Sequence, residues 1–138
     1  MKVSKKLEFA CRVLAQLGRN YDGSTLLQVD QLASREVISS NYLVQILNDL
    51  RNAGLVISRR GKQGGYLLAK HPQDIRLIDI IRAIEPDFLE NSITDEGSSG
   101  SAVAQAWNGI NRALSVEAGK VELTDMIASE ETAQMYHI

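Results

Sequence analysis

Apolar positions recur at a helical period through most of the chain, and one segment breaks that period in a telling order. Leu43, Ile46, Leu47, Leu50 and Ala53 fall at i, i+3, i+4, i+7 and i+10, which places them on one face of a helix that has a core to pack against. Gly54 follows, the residue type that supplies a left-handed helix stop. Leu55–Ile57 and Tyr66–Leu68 are then two short apolar runs separated by a turn holding Gly61, Gly64 and Gly65, a pattern that predicts a hairpin. Upstream, Val29, Leu32 and Ala33 predict a helix over 29–35. A turn at 36–38 and an N-cap at Ser39 lead into the next helix. Helix, short turn, second helix and hairpin together make the unit of a winged helix-turn-helix.

The same period extends to both ends. Ser4 is placed to cap a helix running to Gly18, with Leu7, Ala10, Cys11, Leu14 and Leu17 on one face. His71-Pro72 interrupts the chain before Leu77, Ile78, Ile80, Ile81 and Ile84, a short helix that covers the core and stops at Pro86. Residues 87–100 are polar and end Glu96-Gly97-Ser98-Ser99-Gly100, which reads as a flexible loop. Val103, Ala106, Trp107, Ile110 and Leu114 then form an apolar stripe on a helix of roughly eighteen residues, about 27 Å long. That is more apolar surface than one small domain needs, so the stripe is expected to pack against its copy in a dimer. Thr124 is expected to cap a short last helix, and 134–138 to fray. The fold class is mainly α with a small β-hairpin wing. Residues 1–85 read as a winged helix-turn-helix domain, 86–100 as a flexible loop, and 101–138 as dimerisation helix, short terminal helix and tail.

The polar positions give the helix and hairpin a chemistry. Opposite the apolar face stand Asn41, Gln45, Asn48 and Asn52. Amides carried into the major groove match the ring nitrogen and amino group of adenine. Tyr42 and Arg51 flank them within reach of phosphates, and Val44 is placed to meet a thymine methyl. Asn and Gln are also common on solvated faces, so the stripe alone decides little; the wing decides. Its turn carries Arg59, Arg60 and Lys62, and no acid occurs from Leu50 to His71. Cations there release counterions on binding a polyanion, and glycines let backbone amides approach a phosphate. The turn lacks the spacing of a P-loop. Lys5 and Lys6 lie at a helix start, where they either touch phosphate or are merely solvated.

Composition agrees with one small domain: 138 residues, 44% hydrophobic, enough for a single core. No secretory leader is expected, because Glu8, Arg12 and Gln16 interrupt the apolar stretch from Leu7 to Leu17, and no run of eighteen apolar residues occurs. The single Cys11 cannot form an internal disulfide, which fits a reducing cytoplasm. On an apolar face it reads first as a buried small hydrophobe, with a redox thiol as the competing role. The net charge of -2 conceals an asymmetry. Residues 1–70 hold eleven Lys or Arg against five Asp or Glu, and residues 71–138 hold four against twelve. Only the first half is suited to face a polyanion.

The chain resembles the Rrf-two family of bacterial winged-helix transcription regulators. The resemblance rests on the initial Met-Lys-Val-Ser, Tyr42-Leu43-Val44-Gln45-Ile46-Leu47, Leu50 to Val56, Arg60 to Ala69 and Ile75 to Glu85. It implies a homodimer joined through long C-terminal helices. It also implies DNA contacts at Ser39, Asn41, Tyr42, Gln45, Arg51, Arg60, Gly64 and Tyr66. Many members carry three cysteines before the dimer helix to hold an iron–sulfur cluster, whereas residues 90–106 here contain none. Cluster ligation needs several thiolates or substitutes, so a cluster-free member with no cofactor is expected. Its partners are then double-stranded DNA, its own copy, and an effector molecule or regulatory protein. Two other readings differ in kind. One is a winged-helix adaptor that binds a metabolic enzyme through the acidic half. The other is an enzyme, which the sequence disfavours for want of a Ser-His-Asp set, paired histidines at metal spacing or a nucleotide loop.

Overall fold

The computed structural model describes residues 1–19 and 21–127. In chain order it consists of α1 (Lys5–Arg19), α2 (Val29–Glu36), α3 (Ser40–Asn52), β1 (Val56–Arg59), β2 (Gly65–Leu68), α4 (Leu77–Ile84) and α5 (Gly100–Ala118). Short 3-10 turns occupy Pro72–Asp74, Pro86–Leu89 and Leu123–Met126.

Helix α1 is the centre of the domain. Ser4 caps it, accepting from the Leu7 amide at 3.1 Å, and donates its own hydroxyl to Glu85 at the end of α4, 2.8 Å away. Leu7, Ala10, Val13, Leu14 and Leu17 are buried. Val13 widens the face that the stripe predicts, because α1 is covered by α2, α3 and α4 as well as by β2. Leu43, Ile46, Leu47 and Leu50 meet it from α3, Leu32 from α2, Ile80 from α4 and Val56 and Leu68 from the hairpin. Each such side chain contributes about 1.5–3 kcal/mol by burial. Ala53, expected on the buried face, is exposed as the C-cap of α3, because Gly54 at φ 77° has already turned the chain.

The α2–α3 turn pivots on Val37, a β-branched residue in the left-handed conformation at φ 57°. Such a residue costs roughly 1–2 kcal/mol there, and the Ile38 amide offsets part of this by donating to Ala33 at 3.0 Å. Ser39 then caps α3 as expected, accepting from the Tyr42 amide.

Behind the wing, the expectation of a flexible loop over 86–100 needs correction. Residues 86–89 form a 3-10 turn whose Phe88 and Leu89 pack against the core: two adjacent apolar side chains suffice to dock it. Further along, the Asn91 amide donates to Asn108 at 3.1 Å. After α5 the chain returns to the domain. Leu77 donates to Val121 and Leu123 to Ile75, and Leu123 is fully buried. Thr124 lies inside the last turn rather than capping it; Glu122 precedes the turn and accepts from Thr124. The expected fraying at 134–138 lies outside the described residues. No described helix is long and apolar enough to cross a membrane.

Candidate nucleic-acid interface

Helix α3 presents Asn41, Val44, Gln45, Arg51 and Asn52 to solvent while Asn48 is half-buried. The period that buries the leucines therefore leaves most of the amide stripe free to meet a ligand. Tyr42 is less free than its position suggests. Its ring is half-buried and stands edge-on to Phe9 of α1, 5.9 Å between centroids, so it joins α3 to α1.

The hairpin pairs Val56 with Leu68 through Arg59 with Gly65. A third strand-like contact, unforeseen in the sequence, fixes it to the body. Leu27 and Tyr66 exchange both backbone hydrogen bonds, at 2.9 and 2.8 Å. The neighbouring Gln28 side chain donates to the Lys62 carbonyl at 3.2 Å, tying the wing tip to the start of α2.

This anchoring changes the meaning of the glycines. Gly64 is buried, and a Cβ there would collide with the Arg59 carbonyl. A Cβ at Gly65 would lie 2.6 Å from the Leu27 carbonyl oxygen. Both residues are therefore required for close packing, Gly64 within the wing and Gly65 against Leu27, and the Gly64 amide is spent on the Gly61 carbonyl. Tyr66 is likewise half-buried, with its backbone groups engaged by Leu27. Gly61, exposed at φ 111° with nothing near its Cβ position, remains at the tip.

A cleft of about 430 Å³ separates the end of α3 from the wing. Arg51 enters it from α3, Arg59 and Arg60 from the wing, with Gln28, Gly61 and Tyr66 completing the wall. Ion pairs among the described residues engage Lys5 with Glu8, Lys6 with Asp49, Arg12 with Glu36, Arg76 with Glu122 and Lys120 with Glu117. Arg51, Arg59, Arg60 and Lys62 stand outside that set, so no described residue forms an ion pair with them. Lys5, by contrast, is 3.5 Å from Glu8, and Lys6 is turned onto Asp49 of α3 at 2.6 Å.

Away from this face, the predicted dimer stripe is bare: Val103, Trp107 and Ile110 are 46%, 53% and 55% exposed. Ala106 is exposed too, and Leu114 half-buried. Cys11 is half-buried, and burial pushes its thiol up to about 11. A thiol so shifted is almost wholly protonated near neutrality, which opposes the redox role considered for it.

A buried three-helix core carrying a helix-turn-helix and a pinned basic wing defines a winged helix-turn-helix protein. The chain belongs to the Rrf2 family, described as iron-dependent transcriptional regulators, whose sequence model matches residues 3–129. The protein is accordingly a transcription regulator. It is 31% identical to the HTH-type transcriptional regulator CymR of Bacillus subtilis over 142 residues, covering all of both chains. It is 32% identical to IscR of Cereibacter sphaeroides, covering 94% of this chain and 89% of that one. The solved structure of B. subtilis CymR superposes with a TM-score of 0.79 at 29% identity, covering 91% and 95% of the two chains.

Iron does not fit the donors present. The chain has one cysteine, which burial holds protonated, and among the described residues no group of three or more His, Cys, Asp or Glu side chains converges as a metal site. His71 is occupied in capping the 3-10 turn, accepting from the Gln73 amide, and His137 lies outside the described residues.

Proposed function

We propose that this regulator binds double-stranded DNA as a homodimer, with α3 in the major groove and the wing across the adjacent phosphates, and represses by occupying a pseudo-palindromic operator. The observation that carries this reading is the cleft into which α3 delivers Arg51 and the wing delivers Arg59 and Arg60, none of them in an ion pair with another described residue. Cations so placed are suited to phosphates, and the exposed amides of Asn41 and Gln45 to base edges. Two copies place two α3 helices on half-sites one helical turn apart. The exposed stripe of α5 supplies the surface that joins them. Residues 1–85 then form the DNA-binding unit and α5 the dimer element. The protein works in the cytoplasm without an iron–sulfur cluster, and its signal is an effector molecule or a regulatory protein.

The test is to sequence genomic fragments retained by the purified protein and compare wild type with Gln45→Ala. Base reading by Gln45 predicts a shared inverted motif whose preference relaxes at one symmetric position, by about 1–3 kcal/mol. Equal weakening on all sequences reassigns Gln45 to the backbone, and no retention at low salt favours the adaptor reading.

A further inference from the structure

The outward face of α3 is chemically narrow. Within its first two turns Asn41, Val44 and Gln45 are exposed, Tyr42 is half-buried against Phe9, and Leu43, Ile46 and Leu47 are buried. Ser40 is exposed too, but its hydroxyl donates to Asp30 of α2 at 3.4 Å. The helix has no acid in its first turn, and its one acid, Asp49, is paired with Lys6 at 2.6 Å. Its one cation, Arg51, belongs to the last turn and walls the cleft beside the wing. The side chains free to reach outward near the start of α3 are therefore an amide, a valine and a second amide.

In the major groove each base suits a different partner. Guanine takes Arg or Lys on its two acceptors, cytosine takes Glu or Asp on its amino group, adenine takes Asn or Gln, and the thymine methyl takes an apolar side chain. The N-terminal residues of a recognition helix are the ones that meet base edges. There α3 offers neither charged partner of a G·C pair and offers both partners of an A·T pair. Val44 separates this face from an ordinary solvated one. Isolated exposed valines are common on surfaces, but this one, 37% exposed, stands between the two amides. A β-branched residue there is also not explained by helix formation, which an unbranched one serves better. At a rise of 1.5 Å per residue, Asn41 and Gln45 lie about 6 Å apart along the axis, a little under two base-pair steps of about 3.4 Å.

We infer that Val44 is a specificity-determining residue: it packs on the 5-methyl group of a thymine beside adenines held by Asn41 and Gln45, so the block of each half-site under the first two turns of α3 consists of A·T pairs. This rests on the reading of α3 as the major-groove helix and names the bases that helix takes. Readout of the thymine is by contact with a methyl group, and the amides alone supply hydrogen bonds to the bases of this block.

The test uses a synthetic duplex copied from a retained genomic fragment, with thymine replaced by uracil at one symmetric pair of positions at a time. Uracil pairs with adenine as thymine does and lacks only the methyl group. Fluorescence anisotropy gives the affinities of the full-length wild type and of Val44→Ser. One symmetric pair of thymines should be sensitive, within about two base pairs of the position at which Gln45→Ala relaxes preference. Its replacement should weaken wild-type binding about fourfold per half-site, the scale of one buried methyl group, and leave Val44→Ser unchanged, a non-additive cycle. If every replacement leaves the wild type unchanged, or the sensitive one weakens both proteins equally, the assignment of Val44 is overturned while DNA binding through α3 stands. A retained motif with G·C pairs throughout that block overturns it as well. If no fragment is retained even at low salt, the DNA-binding reading fails and this inference with it.

Discussion

Arg12 clamps Glu36 twice: its Nε donates to the Glu36 carboxylate at 3.2 Å, and its Nη2 donates to the Glu36 backbone carbonyl. The clamp sits immediately before Val37, the left-handed residue on which the α2–α3 turn pivots. The guanidinium also lies 5.1 Å from the centroid of the Phe9 ring, which in turn stands edge-on to Tyr42 of α3. One arginine of α1 thus ties down the turn between the two helices of the DNA-binding unit, and Arg12 also lines the apolar cavity between α1, α4 and α5.

Arg12→Ala should therefore lower stability by about 1–2 kcal/mol, the scale of a charge-assisted hydrogen bond, discounted because Arg12 is 40% exposed. It should also weaken operator binding, because the turn that Arg12 clamps leads into α3. Urea unfolding and equilibrium binding measure the two effects. Arg12→Lys restores the charge but not the paired donors, so it should recover only part of the loss. An unchanged urea midpoint would show that the clamp contributes nothing.

The two tip glycines should respond differently. Gly64→Ala forces a Cβ onto the Arg59 carbonyl, an overpacking worth about 1–3 kcal/mol, and relieving it opens the hairpin and lowers DNA affinity. Gly61→Ala meets nothing within 4 Å and bears only backbone strain, on the order of 1–3 kcal/mol, borne by an exposed turn that can relax. The amide chemical shifts of Val56–Arg59 and Gly65–Leu68 should move in the first variant and stay in the second. The assignment of Gly64 to packing fails if both variants keep the hairpin and full affinity.

Period and punctuation made most of this fold legible in the sequence. The leucine and isoleucine spacing gave α3 because one face is wholly buried, and Ser4 and Ser39 cap the helices they precede. What escaped detection depends on partners distant in the chain. Leu27 is a single bridging residue with no alternating neighbours, and only Tyr66, 39 positions on, makes it a strand. Glycine content marks a tight place but not the atom that crowds it, so Gly64 and Gly65 read as phosphate cradles when they face Arg59 and Leu27. Arg12 read as a neighbour of Cys11, and its partner lies at Glu36. The α5 stripe was legible as a helical period, and Val103, Trp107 and Ile110 are exposed along it.

Cys11 offers a test by pH. Burial raises the thiol from 9.0 to about 11, so its iodoacetamide labelling should climb about tenfold per pH unit, without a plateau before about 11. The same shift has a sign for stability. The folded chain favours the protonated thiol, so its contribution is fully present below the unfolded value and is lost as pH rises through about 9 to 11. Cys11→Ala should remove that component of the alkaline loss. Fast labelling at neutral pH, with a plateau near the ordinary thiol value, would restore the redox reading.

The most direct measurement is the salt dependence of binding to a duplex chosen from the retained genomic fragments, for wild type and Arg60→Ala. Arg51, Arg59, Arg60 and Lys62 are taken to meet phosphates, so log K should fall linearly and steeply with log salt. Losing Arg60 from both copies should reduce the slope by about 1.8, two contacts at about 0.9 each. A flat wild-type response, or a slope and affinity untouched by Arg60→Ala, would contradict the assignment of the wing to the DNA backbone.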